Sequence, residues 1–143
     1  MKIATDNNFI TLGSLEISDW RALKVNGEQT KVIDFLQGQL TSDINLLDDN
    51  NLQLSCICDH KGQVVADFIA LKQDNDFFII IHKDLVTIFQ NELEVFAKFG
   101  SVIFEISDYK IIGEINKKGG SRHFFHSNDD FELSICLEKP DFE

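Results

Sequence analysis

The 143-residue sequence has one proline, eight glycines and no apolar run longer than the five residues Phe77–Ile81. A helix that spans a bilayer needs about 20 apolar residues, so this run is far too short to cross a membrane. Residues 1–8 also lack the apolar core of a signal peptide. We therefore expect a cytoplasmic, folded protein.

Basic residues are scarce: 13 stand against 24 acidic ones, the net charge is −11, and the acidic excess is spread along the whole chain. Partners that are bound through phosphate require clustered Lys and Arg, and docking on an anionic membrane has the same requirement. The composition therefore argues against direct binding of nucleic acid and against membrane association.

The three cysteines, Cys56, Cys58 and Cys136, form no C-x-x-C pair. An odd count and a C-x-C spacing disfavour a disulfide framework and a four-thiolate zinc site. Alternate residues of a strand share a face, so Leu52, Leu54, Cys56 and Cys58 are predicted to form one apolar stripe. We expect both thiols of the pair in the core, with a redox or metal role as the alternative.

Hydrophobic periodicity divides the chain into strands and two helices. Helical spacing predicts one helix from Glu28, with Asn26 as a candidate cap, and a second that begins at Asp84 and ends at Gly100. Alternation and turn residues predict strands at Ile10–Ile17, Trp20–Val25, Leu52–Cys58, Gln63–Leu71, Phe77–Ile81, Val102–Ile106, Tyr109–Ile115, Arg122–Phe125 and Phe131–Leu137. This order predicts an α+β fold in which helices cover one face of an antiparallel sheet.

The second helix carries its apolar residues at helical spacing. The face predicted to pack on the sheet consists of Leu85, Ile88, Phe89, Leu93, Phe96 and Phe99.

Self-contained catalytic signatures are missing from the sequence. It contains no G-x-G-x-x-G, P-loop, G-x-S-x-G or H-E-x-x-H motif, and its four histidines are scattered. We therefore predict no classical catalytic residues and no metal ligands in this chain.

Three segments point to a known family. Trp20 is followed by Val25-Asn26-Gly27, then by the run Phe35–Asp43 (F-L-Q-G-Q-L-T-S-D), then by Cys58-Asp59-x-Lys61-Gly62. In this order they resemble the amino-terminal part of the YgfZ-type folate-binding proteins, relatives of the glycine cleavage T-protein. The resemblance extends over roughly Leu15 to Ile115.

The resemblance implies a T-protein-like folate-binding fold with a ferredoxin-like α+β domain beside a central folate channel. It implies a tetrahydrofolate-binding accessory protein that maintains iron–sulfur enzymes and, through one of them, supports tRNA modification. Its partners would be the folate and, indirectly, iron–sulfur enzymes.

The same resemblance implies the site residues. Trp20 matches a tryptophan that lines the folate site, where an indole face can stack on a pterin or aminobenzoyl ring. Gln37, Gln39, Thr41 and Asp43 match the family run, and they either touch the folate or brace the end of the helix.

The sequence also departs from the family pattern. The segment K-G-C-Y-x-G-Q-E is absent before Glu143, so we expect a truncated chain with segments 1–46, 47–107 and a returning 108–143. The acidic pair of aminomethyltransferases would fall at Val65-Ala66, and Asp67 follows one position later, which argues against aminomethyl transfer because one step reverses the face of a strand. The alternatives are an aminomethyltransferase-type enzyme fragment and an α+β protein-interaction module without a small-molecule ligand.

Overall fold

A computed structural model describes the backbone of residues 2–5, 8–11, 13–117, 123–127 and 131–140, and the side chains of residues 13–115 and 133–140. Helix α1 spans Gln29–Gln39 and helix α2 spans Val86–Gly100, with 3-10 helices at Ile44–Leu46 and Lys83–Leu85. The strands are β1 Lys2–Thr5, β2 Asn8–Thr11, β3 Gly13–Glu16, β4 Trp20–Asn26, β5 Leu52–Cys58, β6 Val64–Gln73, β7 Asp76–His82, β8 Ile103–Ile106, β9 Lys110–Lys117, β10 His123–Ser127 and β11 Phe131–Glu138.

The central element is a five-stranded antiparallel sheet in the order β5-β6-β7-β4-β8. The succession β4-α1-β6-β7-α2-β8 is the split βαβ arrangement of ferredoxin-like domains, and β5 extends the sheet beyond β6. The predicted α+β fold with an antiparallel sheet is confirmed. Because the sheet contains β4, it crosses the division predicted at residue 46, and the three-segment organisation stays a prediction.

Both helices pack on one face of this sheet, as predicted. Phe89 of α2 is fully buried and meets the rings of Phe68 and Phe104 edge-on, with centroids 5.3 Å and 5.1 Å away. Leu36 of α1 lies in the same cluster. The five-stranded sheet and its helices therefore share one core.

The opposite face of the sheet packs against a second antiparallel sheet in the order β10-β11-β9-β3. The two sheets meet through a second core, which consists of Ala22, Ile69, Leu71, Phe78 and Ile80 on one side and Ile111, Ile135 and Leu137 on the other. Trp20, Leu52 and Tyr109 lie at the margin of this core.

The buried face of α2 differs from the predicted one. Phe89 and Leu93 are buried, but Ile88, Phe96 and Phe99 are 47%, 53% and 87% exposed. Val86 and Ala97 occupy the sheet-facing stripe instead. More than half of the residues of α2 are apolar, so the periodicity is compatible with more than one buried face. The face that packs on the sheet is the one that contains the small residue Ala97.

The predicted helix ends also need correction. Glu28 precedes α1 without a side-chain cap, and the Asn26 side chain donates to Glu105 Oε2 at 2.7 Å instead. Asp84 lies in the 3-10 helix before α2. The other end of α2 lies at Gly100, as predicted, and Ser101 after it adopts the left-handed conformation, with φ 57°.

The hairpin predicted near the carboxyl end is present as β10 paired with β11. Its turn, the start predicted at Arg122 and the side chains of His123 and His126 lie outside the described residues. Within the described residues, no helix is both long and apolar enough to cross a bilayer.

Candidate functional site

Strand β5 presents its cysteines on the side away from the helices, which corrects the predicted core stripe. Ser55 and Ile57 are buried, whereas Cys56 and Cys58 are half-buried and Leu54 is 67% exposed. The chain after α1 supplies partners for the polar residues of β5: Ser42 Oγ donates to the buried Ser55 Oγ at 2.8 Å, and Gln53 Nε2 donates to the Asp43 carbonyl at 2.6 Å. The Gln53 Oε1 atom is buried without a partner among the described residues.

Thr41 fastens this same segment to β5. Its N–H donates to the Cys56 carbonyl at 3.1 Å, and its Oγ1 accepts from the Cys56 N–H at 3.2 Å. The Thr41 hydroxyl also lies 3.4 Å from Cys56 Sγ. Thr41 therefore extends the hydrogen bonding of the sheet by one residue beyond its edge strand β5.

The other residues of the predicted run make internal contacts. Gln37 Oε1 accepts from the Ile44 N–H at 2.8 Å, and Asp43 Oδ1 accepts from the Asn45 N–H at 3.1 Å, which caps the 3-10 helix Ile44–Leu46. Gln39 is the half-buried last residue of α1. These hydrogen bonds brace the end of α1, and direct contact of Gln37, Gln39, Thr41 or Asp43 with a ligand stays a prediction.

Trp20 begins β4 and is held from several sides. It pairs with His82 of β7, and the two rings lie 6.0 Å apart at 78°. The preceding turn is tied down by Lys83, whose N–H donates to the Asp19 carbonyl at 2.9 Å and whose Nζ lies 3.3 Å from the Asp19 carboxylate. Half-buried at the margin of the second core, the indole keeps part of its surface accessible.

His82 has a defined hydrogen-bonding state in this arrangement. Its Nδ1 accepts from the Asp84 N–H at 3.1 Å and lies 3.6 Å from the Asp84 carboxylate, so Nδ1 is engaged by Asp84 and Nε2 is the nitrogen left to carry an outward proton. Nε2–H is therefore available as a donor at the end of β7.

Four side chains line up across one end of the sheet on the face away from the helices. Trp20 pairs with His82, and Asp67 of β6 pairs with Cys56 of β5. Strands β6 and β7 pair as far as Ile69 and Ile80, and one further same-face step of that register sets Asp67 opposite His82. We call Trp20, His82, Asp67 and Cys56 the end row.

The end row combines an aromatic face, an imidazole donor, a carboxylate and a thiol. Asp67 is exposed, and the other three are half-buried. Neighbouring strands lie about 4.8 Å apart, so the row extends over about 14 Å from β4 to β5. A single ring cannot touch both ends, but an elongated ligand can.

The structure thus separates the residues predicted from the family run. Thr41 reaches the end row through Cys56, whereas α1, with Gln37 and Gln39, packs on the other face of the sheet. Asp67, which sequence reasoning set aside, shares a face with Ile69 and Leu71 and therefore with Trp20. His82 was missed, because only the β4–β7 register brings it beside Trp20.

Comparison with known proteins shows which proteins this chain resembles in sequence. No family model matches the sequence. The chain is 32% identical over 107 residues to an uncharacterised protein of Haemophilus influenzae and 27% identical over 114 residues to the tRNA-modifying protein YgfZ of Colwellia psychrerythraea. These matches cover 74% and 76% of this chain but only 38% and 35% of those proteins.

One solved structure of a related kind has a similar fold. The crystal structure of the glycine cleavage system aminomethyltransferase T from Bartonella henselae matches 88% of this chain and 41% of that chain, with a TM-score of 0.65 and 14% identity. An aminomethyltransferase of Caldanaerobacter subterraneus is also 29% identical over 69 residues. The resemblance predicted from Trp20 and the Phe35–Asp43 run is therefore confirmed: the chain has a YgfZ/T-protein-like fold. It spans little more than a third of the length of the Haemophilus and Colwellia relatives.

Proposed function

We propose that this chain contributes one wall of a tetrahydrofolate site, with the end row as the binding surface. The observation that carries the proposal is that Trp20, paired with His82, and Asp67, paired with Cys56, lie on the same face of the sheet. The relatives named YgfZ and aminomethyltransferase support it, since both names belong to folate-related proteins.

The end row suits the chemistry of a reduced folate. The accessible indole face of Trp20 can stack on a pterin or aminobenzoyl ring, and stacking of this kind contributes about 1–3 kcal/mol. The Asp67 carboxylate can accept hydrogen bonds from the amino and ring N–H groups of a pterin. His82 Nε2–H can donate to an oxygen of the same ligand.

Such a site is incomplete in this chain alone. Deep ligand pockets bury most of a drug-sized molecule, and the end row supplies a single surface. Stacking and one or two hydrogen bonds scarcely exceed the entropy lost on association, so we expect a Kd of about 1 mM or weaker, equivalent to about −4 kcal/mol.

The role that fits this site is that of a folate-binding accessory protein for iron–sulfur enzymes and, through them, for tRNA modification. The name of the Colwellia relative, a tRNA-modifying protein, supports the second part. The iron–sulfur role comes from the family resemblance. The cytoplasmic location and the lack of unaided nucleic-acid binding stay predictions.

The test is an NMR titration with tetrahydrofolate under anaerobic conditions, which detects millimolar binding. Trp20 is the only tryptophan, so one indole N–H signal reports on the stacking surface. We expect this signal and the backbone amides of His82 and Asp67 to shift together. Asp67→Asn should weaken the response, because the amide cannot accept as strongly as a carboxylate.

Asp34→Asn is the matched control. Asp34 is an exposed carboxylate on α1, on the other side of the sheet, so its loss should leave the titration unchanged. An indole signal that stays fixed at millimolar folate, or an equal loss in both variants, would contradict binding at the end row.

An aminomethyltransferase-type enzyme is the second candidate, and the position of Asp67 on the same face of the sheet as Trp20 is the observation that favours it. An acid on the same surface as the stacked ring could take part in folate-dependent transfer chemistry. Measurable tetrahydrofolate-dependent aminomethyl transfer that disappears in Asp67→Asn would support the enzyme. Binding without transfer would support the accessory protein.

A further inference from the structure

The C-x-C pair lies on the accessible side of β5, with both thiols on one face of the strand. Cys56 and Cys58 are both free and half-buried. Alternate residues of a regular strand have Cα atoms about 6.7 Å apart, close to the upper limit of about 6.8 Å for a disulfide. The β5–β6 register shifts between Ile57 and Cys58, with Val65 of β6 as the extra residue. Cys58 is the last residue of β5, so closing a disulfide requires movement only at the end of this strand.

We propose that Cys56 and Cys58 form a reversible dithiol–disulfide couple that exchanges with small-molecule disulfides of the oxidised glutathione class. The proposal rests on the contacts of β5 and is independent of folate binding.

Thr41 favours Cys56 as the attacking thiol. Its Oγ1 already accepts from the Cys56 N–H at 3.2 Å, which leaves the hydroxyl hydrogen free to point at Cys56 Sγ, 3.4 Å away. A hydroxyl donor stabilises a thiolate, and the thiolate is the nucleophile in disulfide exchange.

Cys58 is suited to react second. Burial raises the pKa of its thiol, and so do the adjacent charge of Cys56 and the hydrogen bond to it. The Cys58 thiol therefore holds its proton more tightly than an ordinary cysteine thiol does. Once Cys56 is bound in a mixed disulfide, its negative charge is gone and this contribution to the raised pKa disappears.

The exchange balances without any further reactant. The Cys56 thiolate attacks one sulfur of the small disulfide, the S–S bond breaks, and one small thiolate leaves and takes up a proton. Cys58 then loses its proton and attacks Cys56 Sγ, which releases the second small thiol. The protein loses two electrons and two protons, and the small disulfide gains both.

Cys136 provides an internal control. It lies on β11 in the other sheet, and its thiol is 3.7 Å from Glu114 Oε1. Trypsin releases Cys56 and Cys58 together in the peptide of residues 32–61, whereas Cys136 falls in a peptide that begins at residue 123. The two sites can therefore be followed separately in one digest.

The experiment equilibrates the native protein in buffers of reduced and oxidised glutathione, alkylates the remaining thiols and analyses the digest by mass spectrometry. We expect peptide 32–61 to lose two hydrogen atoms and its reactivity towards the alkylating reagent, while Cys136 stays alkylated. Reduction should restore both thiols. Glutathione adducts that accumulate in place of the internal disulfide, or no oxidation of this peptide at any ratio, would overturn the proposal.

Variants assign the two roles. Cys58→Ser should trap glutathione on Cys56, and Cys56→Ser should leave Cys58 with several-fold less adduct. Thr41→Val should slow adduct formation at Cys56 in the Cys58→Ser background, and Thr41→Ser should restore it. An equal rate of adduct formation at both cysteines would contradict Cys56 as the attacking thiol. An unchanged rate in Thr41→Val would contradict the role of the Thr41 hydroxyl.

Discussion

The rings of Trp20 and His82 are nearly perpendicular, at 78°, with their centroids 6.0 Å apart. Edge-to-face pairs of this kind are favourable, so His82 supports the indole without stacking on it. The same imidazole accepts from the Asp84 N–H at 3.1 Å. His82 thus connects the start of β4 to the 3-10 helix that leads into α2.

This double contact predicts the effect of shortening His82. His82→Ala should lower the free energy of unfolding by about 1.5–2.5 kcal/mol, since it removes a cap worth about 1 kcal/mol and an aromatic pair worth about 0.5–1.5 kcal/mol. His82→Asn should cost less, because Asn is among the best capping residues. Urea unfolding measures both, and equal losses would show that the cap contributes nothing.

The corrected face of α2 predicts a contrast between two phenylalanines. Phe89→Ala should cost about 3–5 kcal/mol because it empties a fully buried site between Phe68 and Phe104. Phe96→Ala should change stability by no more than about 0.5 kcal/mol, as at other surface positions, because Phe96 is 53% exposed. A similar loss of stability in both variants would mean that the face predicted from periodicity is the buried one.

The hydrogen bond between Ser42 and Ser55 should be measurable as a coupling energy. Ser42 Oγ donates to the buried Ser55 Oγ at 2.8 Å, and a bond of this kind contributes about 0.5–1.5 kcal/mol net. A double-mutant cycle with Ser42→Ala and Ser55→Ala should return a coupling in this range. If the losses in stability of the two single variants simply add, the Ser42–Ser55 hydrogen bond contributes nothing, and Thr41 and Gln53 hold the segment after α1 to β5.

The strand order was predictable from sequence because alternation and turn residues are local signals. Asp74 and Asn75 have φ values of 52° and 69°, and Gly62 has a φ of 80°, which are the conformations that their turns require. The hairpins β5–β6 and β6–β7 follow from these residues. The second sheet's coverage of the opposite face was not foreseen, since no local signal pairs β3 with β9.

The face of β5 was misread for a physical reason that the sequence does not contain. Ser55 is polar but buried, and its partner Ser42 lies 13 residues earlier, beyond the reach of a periodicity argument. The same limit applies to the end row. His82 and Asp67 join Trp20 only through the strand registers, which a single sequence does not specify.

Replacing Ser101 by glycine should stabilise the protein. It holds the left-handed position after α2 with φ 57° and ψ 41°, a conformation that glycine adopts without the penalty of a side chain. Ser101→Gly should raise the free energy of unfolding by about 0.5–1 kcal/mol. Ser101→Val should lower it, because β-branched residues are strained there, and the opposite order in urea unfolding would rule out backbone strain as the cause.

The final prediction concerns the reactivity of Cys58. The core position predicted from sequence would make both thiols slow to alkylate in the native state, whereas half-buried thiols should react. Because the pKa of Cys58 is raised by burial and by Cys56, less of it is thiolate at neutral pH than in an ordinary cysteine. Its alkylation rate should therefore rise with pH through a midpoint above that of the unfolded chain.

The variant Cys56→Ser separates the causes of this shift. It removes the neighbouring charge but leaves the burial, so the midpoint of Cys58 alkylation should fall without reaching that of the unfolded chain. Iodoacetamide rates across a pH series, read by fragmenting the peptide of residues 32–61, give each thiol separately. A native midpoint at or below the unfolded one would contradict the environment described for Cys58. An unchanged midpoint in Cys56→Ser would mean that burial and the charge of Asp59 account for the raised pKa of Cys58 and that the two thiols do not interact.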